Sequence, residues 1–264
     1  MSRIADRLET LRKTSSRIGF GMTGSSPDVR RMLILAGSRK IPAKKTLSTI
    51  LGSADSLVVI DDGKAGELPV GKAVSVAADL PVGVRLSKGA PRAAVVSGSG
   101  CDFMICDTDG PSEVLLAEGA SCFVEVIPGV ESGKLRAIGA LGVEAVLLST
   151  ESLDPKTLAV VIECRRVCTA TGRPVVLQVE QPISSDQVSI LWRAGVGALF
   201  IDVSGGTDLL MSMRAAVDAA SCESRQSVRD TSVSIGAHLA NLNGSSLEEE
   251  EDGEEEDGED DDEE

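Results

Sequence analysis

The stretch RAGVGALFID, Arg193–Asp202, reads as the end of a helix, a glycine stop and an apolar strand that closes on an acid. The same grammar recurs in AEGASCFVEV, Ala117–Val126, and in ALGVEAVLL, Ala140–Leu148. A glycine just past a helix supplies the left-handed cap that helices favour, and the short apolar run after it suits a buried strand. Working outward, eight such runs appear: Ile18–Thr23, Leu57–Asp62, Pro81–Leu86, Cys101–Asp107, Ser121–Ile127, Val143–Ser149, Pro174–Glu180 and Val196–Val203. Their starts lie 20 to 39 residues apart, close to the length of one strand–loop–helix–loop unit. Alternation of this kind predicts an α/β fold with a parallel sheet.

Eight units between Ile18 and Ala220 resemble the TIM barrel, a single closed ring of eight parallel strands with helices outside. A doubly wound open sheet would give similar text, but eight strands with few turn-only links favour the ring. The resemblance covers the body of the chain and rests on periodicity alone, without a motif that selects one family. It implies an α/β barrel over residues 1–220, including an N-terminal helix, and a functional site at the carboxyl ends of the strands.

Around the strands the helix signals are local. Ile4, Leu8 and Leu11 recur at helical spacing within Ser2–Thr14, with Ser2 as a cap, and that helix is placed over the lower mouth of the barrel. The long connection Gly24–Asp55 holds an apolar stretch, Met32–Ala36, and a helix over Ala43–Leu51. Further helices are predicted over Pro69–Asp79, Ala90–Ser97, Pro111–Glu118, Gly133–Ala140, Pro155–Thr169, Ser184–Ala194 and Thr207–Ala220. Residues 221–247 lose periodicity and read as a loop or linker.

The formal charge of −15 belongs to one segment. Fifteen of the 17 residues in Glu248–Glu264 are Asp or Glu, and outside them acids and bases balance. Such a block repels itself and reads as a disordered acidic tail, either solubilising or an interaction tail. A neutral body with an acidic tail argues against nucleic acid as a partner, because phosphates need a basic footprint. No run approaches the apolar length of a membrane span. The N-terminus lacks the apolar core of a secretory signal. The six cysteines show no paired zinc spacing, so they read as reduced thiols in a cytoplasmic protein.

The strand ends carry the candidate chemistry. Glu125 stands inside a predicted strand, where a carboxylate is costly unless paired or bound to a cation. Two readings follow: an inward acid or metal ligand, or an ion pair with Arg85 or Lys64. Glu125, Asp107 and Asp202 form the candidate ligand set for a hard cation such as Mg²⁺. Glu125 and Asp107 are the candidate acid/base groups, with Arg85 as the grip on a substrate carboxylate. Gly205 and Gly206 open a helix and are the candidate phosphate- or cofactor-binding pair.

Absences narrow the chemistry further. The lone histidine, His238, lies beyond the last unit, and no predicted strand interior holds a lysine for a Schiff base. The glycines at 19, 21 and 24 fit a dinucleotide fingerprint, but no helix opens after them. The resulting expectation is a metal-assisted lyase or aldolase-type enzyme acting on a small carboxylate. The alternative is a non-catalytic barrel that binds a partner through its acidic tail. Oligomeric state is not legible.

Overall fold

The computed structural model of the chain describes residues 2–14, 32–63, 68–77, 79–87, 99–117, 119–150 and 153–220. The chain divides into two units, Met1–Arg225 and Gln226–Glu264, and every described residue belongs to the first. The expected linker 221–247 and acidic tail 248–264 lie outside the described residues, as do the run Ile18–Thr23, the helix over Ala90–Ser97, Cys222 and His238.

Eight parallel strands close into a barrel in chain order: β1 (Leu33–Ser38), β2 (Ser56–Ile60), β3 (Val82–Arg85), β4 (Phe103–Asp107), β5 (Ser121–Val126), β6 (Ala145–Leu148), β7 (Val175–Gln178) and β8 (Val196–Asp202). The ring closes where β1 pairs β8, with Leu35 opposite Phe200 and Gly37 opposite Asp202. Seven of the eight runs expected from the sequence are staves of this ring. The first stave is instead Leu33–Ser38, within the long connection Gly24–Asp55.

Around the ring lie α1 (Arg3–Thr14), α2 (Lys44–Ser53), α3 (Val70–Val76), α4 (Ser132–Ala140), α5 (Leu158–Thr171), α6 (Ser185–Ala194) and α7 (Asp208–Ala219). The caps follow the sequence signals. Ser184 and Gln187 form a reciprocal capping box at the start of α6, and Gly172 and Gly195 end α5 and α6 in the left-handed conformation. The helix expected over Pro111–Glu118 is a single 3₁₀ segment, Ser112–Leu116. Its connection runs only from Asp107 to Ser121, too short for a full helix, and Val114 is its one buried anchor.

Three phenylalanines fill the barrel where two glycines make room. The rings of Phe103 and Phe123 stack with centroids 4.8 Å apart, and a Cβ at Gly83 would overlap the Phe103 ring. Likewise a Cβ at Gly37 would stand 2.5 Å from Phe200 Cζ. Because side chains alternate along a strand, these contacts set the inward face of β1, β3, β4, β5 and β8. Cys101, Cys106, Cys122 and Cys164 are buried free thiols, as expected, and burial pushes Cys101 up to about 11 and Cys164 up to about 12.

The lower mouth is covered by α1. Ser2 Oγ accepts from Ala5 N–H as the cap, and the Asp102 carboxylate, just before β4, accepts from Ser2 Oγ and from the N–H groups of Arg3 and Ile4. An acid at a helix N-terminus meets both the unpaired donors and the positive end of the dipole. Ile4, Leu8 and Leu11 are buried beneath it. With that end covered, the cavity of interest lies at the other.

Candidate functional site

The same alternation that sends Gly83, Phe103, Phe123 and Phe200 inward carries Arg85, Asp107, Glu125 and Asp202 to the carboxyl rim, two residues further along β3, β5 and β8 and four along β4. They line an open cavity of about 680 Å³ at that rim, together with Arg39, Asp61, Lys134, Ser149, Gln178 and Glu180.

Its floor holds a charge pair. Arg85 donates from Nε to Glu125 Oε2 at 2.8 Å and from Nη2 to Oε1 at 2.5 Å, a fork-to-fork match between two largely buried side chains. The guanidinium carbon stands 5.2 Å from the centre of the Phe200 ring, so the cation rests on an aromatic face. Of the two readings left open for Glu125, the ion pair with Arg85 is therefore the one present. For Arg85, two of its five N–H groups are held by Glu125, so an anion at the rim would meet it as one half of an ion pair.

The three acids expected to share Mg²⁺ stand apart. Glu125 pairs Arg85. Asp202 Oδ1 accepts from Ser204 N–H at 2.8 Å, and its Oδ2 lies 3.3 Å from Arg39 Nη2. Asp107 faces Glu125 in the β4–β5 register, but β8 is four staves away around the ring, which puts Asp202 on the opposite wall. Among the described residues no group of three or more His, Cys, Asp or Glu side chains converges to hold a metal ion. The donor set does not fit the expected cation.

Gly205 and Gly206 do not line the cavity. Their turn is closed internally, with Asp202 accepting from Ser204 N–H and Val203 O accepting from Gly206 N–H at 3.1 Å. A carboxylate thus stands where a phosphate would be received.

Two acceptors in the cavity wall lack a protein partner. Asp107 Oδ1 takes the N–H of Asp109 at 3.1 Å, whereas Oδ2 is buried and has no hydrogen-bond partner among the described residues. Gln178 is only 8% exposed; its Nε2 donates to Glu180 Oε1 at 3.0 Å, and its Oε1 has no partner. That contact orients the amide, because the flipped form would set two acceptors face to face. Elsewhere on the rim, Asp61 accepts from Gly63 N–H and from Ser87 Oγ, each at 3.0 Å, and Lys134 Nζ donates to Thr108 Oγ1 at 3.0 Å.

Sequence reasoning missed Arg39 and Lys134. Arg39 follows β1, so reading Met32–Ala36 as a strand would have found it. Lys134 belongs to the first turn of α4, and no strand-end rule points there. Lys64, the other candidate partner for Glu125, lies outside the described residues.

No family model matches the chain, and no curated protein matches it. Solved structures do. Tryptophan synthase from M. tuberculosis in an open form superposes with a TM-score of 0.56 at 14% identity, covering 83% of this chain and 98% of that one. The protein KGPDC from Streptococcus mutans gives 0.54 at 12% identity over 71% of this chain and 96% of its own. Thiamine phosphate pyrophosphorylase from Pyrococcus furiosus gives 0.53 at 14% identity over 72% and 96%. By fold the chain is a TIM barrel. At such identities the likeness carries the architecture and nothing of the chemistry. The TIM barrel fold places the cavity on the face where barrel enzymes hold their sites. No described helix is long and apolar enough to cross a membrane.

Proposed function

We propose that this barrel is a small-molecule enzyme of the lyase or aldolase type, working at its carboxyl rim with Asp107 as the general base. The observation that carries the reading is the Asp107 carboxyl: the residue lines the cavity, and its Oδ2, enclosed just beneath the surface, has no hydrogen-bond partner among the described residues. A carboxyl group that already spends one oxygen on a backbone N–H is oriented, and its second oxygen is left for a substrate proton. In a retro-aldol cleavage that oxygen takes the proton of a hydroxyl, the carbon–carbon bond breaks, and the products are a carbonyl and an enolate. The Arg85–Glu125 pair supplies a fixed dipole on the same wall. The base needs no Mg²⁺, and the candidate acids of the rim are dispersed around the ring.

The test is proton exchange in D₂O. Small α-carbonyl compounds, such as hydroxyacetone and pyruvate, are incubated with the protein and their C–H signals followed by NMR. Wild type should exchange at least one of them faster than buffer, and Asp107→Asn should slow it by roughly 10²–10⁴-fold, the range of a general base, with an unchanged melting temperature. Equal rates for wild type and Asp107→Asn would refute the role of Asp107. Exchange no faster than buffer across the panel would favour the non-catalytic barrel.

A further inference from the structure

On the outer face of the ring two thiols converge. Phe103 and Phe123 point inward, so alternation turns Cys106 on β4 and Cys122 on β5 outward. Their sulfurs stand 3.9 Å apart, although the residues are 16 apart in the chain and form no zinc spacing in the sequence. The carbonyl oxygen of Phe123 faces both, at 3.8 Å from Cys106 Sγ and 4.0 Å from Cys122 Sγ. Three donors thus mark a nearly equilateral triangle. Its centre is about 2.3 Å from each corner, against about 2.3 Å for a zinc–thiolate bond and about 2.0–2.2 Å for zinc–oxygen.

We infer that Cys106 Sγ, Cys122 Sγ and the Phe123 carbonyl oxygen form a site for one thiophilic divalent cation of the Zn²⁺ class, which clamps β4 to β5 from outside the ring. Binding breaks two S–H bonds, forms two metal–sulfur bonds and releases two protons to solvent, with no change in oxidation state. Three protein donors leave the fourth tetrahedral position to solvent. Two thiolates and a divalent ion sum to zero, so the filled site buries no net charge. Thiolate donors select against the hard Mg²⁺. A direct disulfide suits the geometry less. Cys106 stands opposite Val124 and Cys122 opposite Met104, two residues out of step, and the sulfurs would have to close to about 2.05 Å. An ion holds them at the separation they already have. Access is through the β4–β5 connection, whose 3₁₀ segment has Val114 as its one buried residue, and Cys106 and Cys122 keep 4% and 6% of their surface exposed. Cys106 immediately precedes Asp107, so the clamp steadies the strand end at the rim. The inference does not rest on the lyase reading, and either can fail alone.

Co²⁺ is the probe, as a spectroscopic stand-in for Zn²⁺. The reduced full chain should develop a near-ultraviolet thiolate-to-cobalt band that saturates at a single equivalent; Zn²⁺ should bleach it and Mg²⁺ should not. Cys106→Ala and Cys122→Ala should each weaken cobalt binding by roughly 10²–10⁴-fold, the contribution of a second linked donor. Cys164→Ala, which removes a buried thiol on α5, should leave it unchanged. Zn²⁺ should also raise the Tm of wild type and of Cys164→Ala, and of neither other variant. If the Cys106 and Cys122 variants do not fold, wild type decides. Zn²⁺ should then slow alkylation of Cys106 and Cys122, read peptide by peptide by mass spectrometry, and leave the rates at Cys101 and Cys164 unchanged. No cobalt band in wild type, a band that survives both substitutions, or zinc protection spread evenly over all the cysteines would overturn the inference.

Discussion

Arg214 offers the sharpest test of how the ring is held shut. It sits on α7, yet its Nη1 lies 3.2 Å from Asp55 Oδ2, 159 residues away at the foot of β2. Both side chains are under one-tenth exposed. The same Asp55 oxygen accepts from Ile34 N–H at 3.0 Å, and Asp55 N–H donates to Ile34 O, so the pair ties α7 to the β1–β2 edge of the ring. Arg214→Met keeps the aliphatic stem and removes the charge that faces the buried Asp55 carboxylate. Breaking one half of a buried pair costs about 3–5 kcal/mol. The exposed end of Asp218, 2.7 Å from Nη2, adds no more than about 1 kcal/mol. For a domain of this size that loss lowers Tm by roughly 6–20 °C. Trp192 is the chain's one tryptophan and is buried on α6, so its fluorescence reports urea unfolding directly. Asp55→Asn completes the cycle, and the double variant should be less destabilised than the two singles added together. A loss below about 1 kcal/mol for Arg214→Met, or strict additivity, would refute the closure argument.

Two further outcomes follow from packing and charge. Gly83→Ala pushes a methyl into the Phe103 ring, so overpacking should cost about 1–3 kcal/mol in urea melts, and Phe103→Leu should restore part of it. The Arg166 guanidinium donates to both Glu163 oxygens and holds that carboxyl below the usual carboxylate range, while Glu163 also accepts from Gly129 N–H in the loop leading to α4. A lowered folded value means that this stability is fully present above the unfolded value of about 4.3 and lost as pH falls through the folded one. Glu163→Gln should therefore lose about 1 kcal/mol at pH 7 and almost none once the wild-type carboxyl is protonated. Equal losses at both pH values would show that the charge plays no part.

The acids at the strand tips were legible because a strand's end and its alternation are local facts. Glu125 marked itself as a charge needing a partner, but Arg85 is forty residues away and only the ring brings the two within a hydrogen bond. The Mg²⁺ triad failed for the same reason: Asp107 and Asp202 look alike in the sequence and stand on opposite walls. The unpartnered oxygens of Asp107 and Gln178 left no trace in the pattern, since a missing partner is a property of the neighbourhood.

By itself the sequence determined a repeating helix–glycine–strand grammar, seven of the staves and the caps that end α5 and α6, because each depends on residues within one turn or one strand of each other. Tertiary structure alone decided that Leu33–Ser38 is the first stave, that α7 is bolted to Asp55, and which charges at the rim neutralise one another. Those outcomes depend on ring closure, which brings together residues that no local interaction links.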